Sequence, residues 1–256
     1  MCTVVFIPGN EKHFFASLRD ESPLRPPAEA PKITGDELKI LSPKDLLAGG
    51  TWIGVNDFGN VIILLNGGFE KHIRANSYWK SRGLIVSELL TSQVPVVDWN
   101  LMNLEKIEPF TLIVWSDENL FQLVWDGLNK HRIRVDQTIP HLWSSSTLYD
   151  SEAKLSRDEL FQNWITMNPP VSKLTLLRFF NSSSDAINGY IINRAEKVKT
   201  LSYTFVELAD NNAVVMNYYD ISNYTYHRNE MNLNEMSIGC ELHDRDETKG
   251  RNSLNQ

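Results

Sequence analysis

Four groups of polar residues stand out in this 256-residue sequence, because each interrupts or ends an apolar or glycine-rich stretch. They are Cys2, the run from Arg19 to Glu21, Asn66, and the serines at 144–146. These residue types can serve as nucleophile, as thiolate-stabilising cation and as donor to an oxyanion. Each group alone also has a plain structural explanation, so the argument depends on whether the fold brings the groups together.

Cys2 stands directly behind Met1 in MCTVVF, a run typical of a buried strand. In one interpretation the cysteine is a small hydrophobic residue of a core strand. In the other, removal of Met1 places a thiol and a free α-amine on the same residue, which then carries its own nucleophile and its own base. Position alone favours the core interpretation and leaves the second one open.

A predicted hairpin at the N-terminus connects the first two groups. Residues 2–7 and 13–18 are rich in strand formers, and PGNEK between them has strong turn chemistry. In such a hairpin the end of the second strand returns beside the start of the first, so Arg19 and Asp20 are expected near Cys2. The alternative for a bare Arg-Asp-Glu run is a solvated charge cluster at a strand end.

Asn66 ends the apolar run VIILLN and precedes two glycines, which allow close backbone approach. An amide in that position can donate to a developing oxyanion, although Asn-Gly is also a common turn dipeptide. Ser145 lies in WSSS, which is otherwise a polar loop. Trp52 and Phe69 are candidates for lining an apolar ligand pocket, and aromatic side chains of this kind more often belong to the core.

Composition and charge exclude several classes of protein. The chain is 42% hydrophobic and 22% charged, as in ordinary globular proteins, and its net charge of −7 argues against a nucleic-acid partner. Two distant cysteines do not indicate a disulfide scaffold, and no spacing typical of a metal site is present, so no metal and no cofactor are expected. No signal peptide and no membrane span are recognisable, which predicts a cytoplasmic protein.

Hydrophobic periodicity and turn residues predict an α+β fold in layers, because many antiparallel strands flank two grouped pairs of helices. We expect one domain over residues 1–239 and a flexible polar tail over 240–256; the oligomeric state is left open. The predicted strands beyond the hairpin are 51–56, 60–66, 110–116, 120–126, 131–135, 200–208 and 213–219. The predicted helices are 82–92, 98–107 with Asp98 as N-cap, and one that begins at a Ser156–Glu159 capping box and ends near Met167. After it, KLTLLRFF is predicted to form a further helix or a strand. The proline-rich residues 21–35 are expected to form neither a helix nor a central strand.

The motifs resemble a known family when they are taken in order. Met-Cys at the start, Arg-Asp-Glu near residue 20, a proline-rich stretch and GGTWIGVNDFGNVIILLN are similar to the NRDE family, also called the transport and Golgi organisation protein 2 family. The resemblance is strongest over residues 1–80. It implies an N-terminal-nucleophile (Ntn) hydrolase-like fold, which is a four-layer αββα sandwich of two mainly antiparallel sheets.

The resemblance also implies roles for individual residues. Cys2 matches the N-terminal cysteine, Arg19 and Asp20 match residues beside the nucleophile and its amine, and Asn66 falls where related enzymes carry an oxyanion-hole side chain. The implied activity is hydrolysis of a linear amide C–N bond in a small-molecule acyl amide, through an acyl-cysteine.

Three positions depart from the family pattern. Leu18 replaces the asparagine that begins the family motif, Ser145 stands where a second asparagine is usual, and Leu201 stands where relatives have an arginine. These departures support an alternative, a non-catalytic family member that binds a lipid-like ligand or haem, or acts in trafficking and secretory organisation.

Overall fold

The computed structural model describes residues 3–168, 171–183, 185–195, 197–209 and 212–234. Cys2 lies outside the described residues, and so does the predicted tail at 240–256. The nucleophile, the end of the domain at residue 239 and the flexible tail therefore stay predictions.

The described residues form strands and helices, numbered in the order of the chain. The strands are β1 Thr3–Ile7, β2 Lys12–Glu21, β3 Glu29–Thr34, β4 Ile40–Lys44, β5 Ile53–Asn56, β6 Val61–Asn66, β7 Phe110–Ser116, β8 Asn119–Trp125, β9 Lys130–Val135, β10 His141–Ser144, β11 Lys199–Ala209, β12 Ala213–Asp220 and β13 Thr225–Asn232. The helices are α1 Arg82–Leu90, α2 Pro95–Leu101, α3 Ser151–Met167 and α4 Lys173–Phe180.

Two antiparallel sheets organise these strands. The first sheet has six strands in the order β10-β1-β2-β11-β12-β13, and the second has seven in the order β3-β4-β5-β6-β7-β8-β9. The second sheet follows the chain, because each of its strands pairs with the next along the sequence. The first sheet instead joins the N-terminal hairpin to β10 on one side and to β11 on the other.

The residues of β1 show how the layers stack, because consecutive side chains of a strand point to opposite faces. Val4 and Phe6 belong to a core cluster shared with the second sheet. Val5 and Ile7 belong to a second cluster that contains Phe161 of α3. On the other side of the molecule, α1 packs on β5 and β6 of the second sheet. The molecule is therefore a four-layer sandwich with helices outside both sheets, as predicted.

The start of α2 corrects one expectation. The helix begins at Pro95, with Val94 as N-cap, so the prediction of Asp98 as the N-cap is wrong. A proline favours the first helical position, because its fixed φ suits the helix and its missing N–H would have had no helical partner there. Asp98 instead lies in the first turn, where a carboxylate interacts favourably with the helix dipole.

The start of α3 corrects a second expectation. The predicted capping box at Ser156 and Glu159 lies inside the helix, which begins at Ser151. Asp150 is the N-cap, and its Oδ1 accepts a hydrogen bond of 2.9 Å from the backbone N–H of Ala153. The end of the helix at Met167 agrees with the prediction. Along the described residues, no helix combines the length and apolar composition needed to cross a membrane.

Strands with little alternation in hydrophobicity were missed. The sequence suggested that residues 213–219 form the last strand, but β13 follows it. Most side chains of β13 are exposed, because this strand is an edge of the first sheet, so it carries no hydrophobic signal. The proline-rich segment contains β3, which is an edge strand of the second sheet, as a strand with proline must usually be.

We expect both faces of β6 to contribute to stability. Ile62 and Ile63 are adjacent and fully buried, so replacing either with alanine should lower the free energy of unfolding by about 2–5 kcal/mol. Ile73→Ala is the matched control, because Ile73 is 97% exposed and its loss should change stability by less than about 0.5 kcal/mol. Urea denaturation measures all three; a near-neutral result for Ile62 or Ile63 would contradict a strand covered on both sides.

Candidate active site

Arg19 lies near the end of β2 and is buried between the two sheets. Only 3% of the residue is exposed, and its Nη2 donates to Asp45 Oδ2 at 2.7 Å. The guanidinium carbon lies 4.5 Å from the ring centre of Trp52. Both partners lie next to strands of the second sheet, since Asp45 directly follows β4 and Trp52 directly precedes β5. The arginine therefore connects the two sheets through one ion pair and one cation–π contact.

Asp45 is held in place by more than Arg19. Its Oδ2 also accepts from Arg25 Nε at 2.7 Å, and its Oδ1 accepts from the backbone N–H groups of Leu47 and Ala48 at 3.0 and 2.9 Å. Burial raises the pKa of this carboxyl, but the hydrogen bonds from Arg25, Ala48 and Arg19 outweigh it and lower the pKa to about 2. Asp45 is therefore ionised at neutral pH and fixes both arginines.

A cavity of about 630 Å³ opens beside this ion pair, and we call it the main cavity. Three of the predicted site residues line it, namely Arg19, Trp52 and Asn66. The rest of its wall comes from parts of residues 45–52 and 74–83, and from Glu21, Arg25, Leu64 and Glu108. The structure thus brings together residues that are 47 positions apart in the sequence.

A smaller cavity of about 400 Å³, the side cavity, contains the other predicted binding residues. Ser145 and Phe69 line it, and Asn66 lines it as well, so this asparagine borders both cavities. Ser145 is buried, and its Oγ donates to the backbone carbonyl of Asn66 at 2.7 Å. Phe69 is 46% exposed and packs edge-on against His131 at 4.9 Å between ring centres.

Gly67 allows the end of β6 to lie close to the loop that contains Ser146. Its φ of +87° is in the region that favours glycine, and a Cβ at this position would lie 2.2 Å from Ser146 Oγ. The glycine after Asn66 is therefore required for the close approach between the end of β6 and the serine loop. Among the described residues no hydrogen bond holds the Asn66 side-chain amide, so the amide remains available to a ligand.

Asp20 lies beside Arg19 on β2 but is not one of the main-cavity residues. It is buried, and its Oδ1 accepts from Thr200 Oγ1 at 2.6 Å. The pairing of β2 with β11 is irregular at this point. Asp20 pairs with Thr200 but Arg19 pairs with Ser202, so β11 contains one extra residue between the two pairs. The bulge contains Leu201, whose carbonyl accepts from the N–H of Ile221 at 2.8 Å.

The family departures have separate structural environments. Leu18 is fully buried in the core cluster shared with α3 and α4, so it packs on the helix side of the first sheet. Arg194, which precedes Leu201 by seven residues, donates to the carbonyls of Leu148 and Ile187. It is therefore already used to hold a loop.

Sequence reasoning missed Arg157, a residue of α3. It is only 2% exposed and lies against Thr3 at the start of β1. Its Nη2 donates to Thr3 Oγ1 at 2.5 Å, and its Nε donates to Ser144 Oγ at 2.9 Å. The guanidinium lies between the rings of Tyr149 and Tyr190, at 4.2 and 4.5 Å from their centres. An arginine in an exposed-looking helical segment such as SRDEL carries no sequence signal for burial.

The remaining contacts of Arg157 fix the loop that precedes β11. Its Nη1 donates to the carbonyls of Asn188, at 2.8 Å, and of Gly189. Burial raises the pKa of the Tyr190 hydroxyl, which stays protonated and donates to the Arg157 carbonyl at 2.6 Å. Arg157 therefore joins the start of β1, the end of β10 and this loop at one point.

The ionisation of Asp45 predicts acid sensitivity. Its pKa of about 2 lies below the pKa of an aspartate in the unfolded chain. The ionised Asp45 therefore adds to the free energy of unfolding above about pH 4, and this contribution is lost as the pH falls toward 2. That contribution is about 2 kcal/mol. Asp45→Asn should lower the free energy of unfolding at pH 6, and its difference from wild type should narrow by about that amount at pH 2. A pH-independent difference in chemical denaturation would contradict the ionised pair.

Arg157→Met should lower the free energy of unfolding by about 3 kcal/mol or more, because two hydroxyls and two carbonyls lose a charged donor in a buried site. Arg178→Met on α4 is the control, since Arg178 is exposed and its replacement should be nearly neutral. Urea denaturation compares the two; equal stability would mean that Arg157 does not hold the start of β1.

Comparison with known proteins adds three structural likenesses. A cysteine-to-alanine mutant of the conjugated bile acid hydrolase from Clostridium perfringens superposes with a TM-score of 0.56 at 10% identity, over 90% of this chain and 92% of that chain. A variant of the same hydrolase with an arginine replaced by leucine gives 0.51 at 8%, over 93% and 100%. The N-acylethanolamine-hydrolyzing acid amidase ortholog of Caenorhabditis elegans gives 0.54 at 10%, over 80% and 92%.

At these identities the likeness shows the fold alone, and it confirms the predicted Ntn-hydrolase-like architecture. No curated protein matches the sequence significantly. The profile of the family described as Transport and Golgi organisation 2 matches residues 1–152, which is more than half of the chain and includes β1 to β10. The chain therefore belongs to the TANGO2 family, and it carries that family's NRDE-like motifs on an Ntn-hydrolase-like fold.

Proposed function

We propose that this protein is an N-terminal-cysteine hydrolase that cleaves linear amide C–N bonds. Cys2 is the nucleophile once Met1 has been removed, and its own α-amine is the base. The observation that carries the proposal is that Arg19 and Asn66 line the same cavity. Arg19 also directly follows Leu18, the residue that pairs with Thr3 at the start of β1. These are a cation and an amide donor, the two groups that a cysteine-based hydrolysis needs around the reacting carbonyl.

The pairing of β1 supports this assignment. Thr3 pairs with Leu18 on β2 and with Ser144 on β10. The next positions beyond those pairs are Arg19 and Ser145, which line the main and side cavities. The proposal requires the thiol of Cys2 to lie between them, within reach of the Asn66 amide.

In the proposed reaction, the α-amine takes the thiol proton and the thiolate attacks the carbonyl carbon of the amide. Arg19 favours the thiolate, because a nearby cation lowers a cysteine pKa. The Asn66 amide donates to the oxyanion, and the α-ammonium returns the proton to the departing amine as the C–N bond breaks. Water then hydrolyses the acyl-cysteine and releases the acid. Asp20 has the role of holding the ammonium form of the amine.

Two observations support the non-catalytic alternative, in which the protein binds a lipid-like ligand or haem. The charge of Arg19 is already paired with Asp45 at 2.7 Å, which weakens its effect on a thiolate. Leu18 and Leu201 also offer no polar group for positioning a substrate. The same experiment distinguishes the two functions, because a binder keeps its affinity without the thiol.

The first measurement is the intact mass, which must show loss of Met1. Cys2 should then react with iodoacetamide faster than a free cysteine at pH 7, and Arg19→Gln should slow that reaction, because the thiolate loses its neighbouring cation. Turnover of an N-acyl amide panel should disappear in Cys2→Ala and persist in the matched control Cys240→Ala. Retained Met1, or turnover that survives in Cys2→Ala, would overturn the mechanism. If wild type shows no turnover, and wild type and Cys2→Ala bind the ligand equally well, the protein is a binder.

A further inference from the structure

The main cavity is rich in cationic groups although the whole chain has a net charge of −7. Its wall contains five cationic side chains but only three carboxylates. The cationic residues are Arg19, Arg25, Arg74, Lys80 and Arg82, and the acidic residues are Glu21, Asp45 and Glu108. A surplus of positive charge concentrated in a cleft attracts an anionic ligand.

Two of the carboxylates in the main cavity are shared between several cationic groups. Glu108 Oε2 lies 3.1 Å from Arg82 Nη2, while its Oε1 lies 3.3 Å from His72 Nε2 and 3.8 Å from Arg74 Nε. Asp45 is shared in the same way by Arg19 and Arg25. A guanidinium has five N–H donors, so arginines that share one carboxylate retain donors for a further oxyanion.

Arg74 is the cationic residue best placed to meet a ligand. Its side chain is 79% exposed, and its contact with Glu108 is the longest of the ion pairs in the cavity. Lys80 lies on the same wall and contacts Glu88, which is not a cavity residue. These two side chains can therefore reorient toward a ligand without stranding a buried charge.

A buried donor on the cavity wall is an independent observation. Trp52 is 3% exposed, and its indole Nε1–H is buried without an acceptor among the described residues. A buried N–H without a partner is costly, and such groups normally find one in the protein, in water or in a ligand. The wall of the main cavity thus contains a loosely paired cation, Arg74, and a buried neutral donor, the Trp52 indole N–H.

The side cavity differs in chemistry. Its wall includes the apolar residues Leu65, Phe69, Leu142, Trp143 and Leu155, and its charged residues are one of each sign, Lys154 and Asp158. Because Asn66 borders both cavities, an amide held at Asn66 can place its acyl chain on the apolar side and its amine portion on the cationic side.

We propose that the main cavity binds an anionic group, and that the substrates are N-acyl amides whose amine portion carries a carboxylate, as in N-acyl amino acids. This inference rests on the proposed hydrolase, since it assigns the two ends of that substrate. Arg74 and Lys80 contact the carboxylate and determine specificity; they take no part in breaking the amide bond.

The test compares two ligands that differ in one group, N-octanoylglycine and N-octanoylethanolamine. Wild type should prefer the carboxylate by about tenfold in kcat/KM, as expected for one charged hydrogen-bonded contact. Arg74→Gln with Lys80→Gln should remove most of that preference by raising KM for N-octanoylglycine. Arg178→Gln, an exposed arginine on α4, is the matched control and should keep the preference.

Binding to Cys2→Ala separates this inference from the proposed function, because binding needs no chemistry. Carboxylate-selective binding without turnover in wild type keeps the anion site in the main cavity and overturns the hydrolase. Turnover with equal or better use of the ethanolamide keeps the hydrolase and overturns the inference. A preference that survives in the double variant, or no binding of either ligand, also overturns the assignment of an anionic group to the main cavity.

Discussion

The geometry of the candidate site depends on one buried charge. The Arg19 guanidinium lies between two sheets, where an unpaired charge would be very costly, so the second sheet must present a carboxylate at that point. Asp45 does so, and the turn that follows β4 holds it with two backbone N–H groups. This ion pair and the contact of Arg19 with Trp52 join the two sheets at the wall of the main cavity. A lysine at position 19 would lack the planar group that both Asp45 and the Trp52 ring contact.

Sequence reasoning found polar residues at the ends of apolar strands better than it found the ion-pair partners of those residues. Arg19 and Asn66 were identifiable because each ends an apolar run and because the motif order is similar to a family. Asp45 and Glu108 were not, since nothing about their spacing marks them and each is joined to its arginine only by the tertiary packing. Arg157 was missed for a related reason: its helix has the sequence of a charged, exposed helix, and only the tertiary structure shows that one of its arginines points inward.

Errors at element ends have a similar origin. Ser156 and Glu159 form a valid capping pattern, but Asp150 caps the same helix earlier, and local rules do not rank two possible starts. The edge strand β13 was missed because both of its faces are largely exposed, and an exposed strand is defined by its pairing with β12 rather than by its own residues. Central strands such as β6 and β7 were predicted well, because burial on both faces requires continuous apolar runs.

The order of strands in the first sheet has a consequence for synthesis of the chain. β2, which carries Arg19 and Asp20, has β11 as its neighbour, and the hydrogen bond between Asp20 and Thr200 spans 180 residues. While the ribosome is still making residues 22–198, one edge of β2 has no partner, and a long apolar edge of this kind invites aggregation. A fragment that ends at residue 152, where the family profile stops, keeps the recognisable motifs yet leaves that edge open. The segment that identifies the family thus lacks the strand that pairs with β2, and translation must reach the last quarter of the chain before that edge is enclosed.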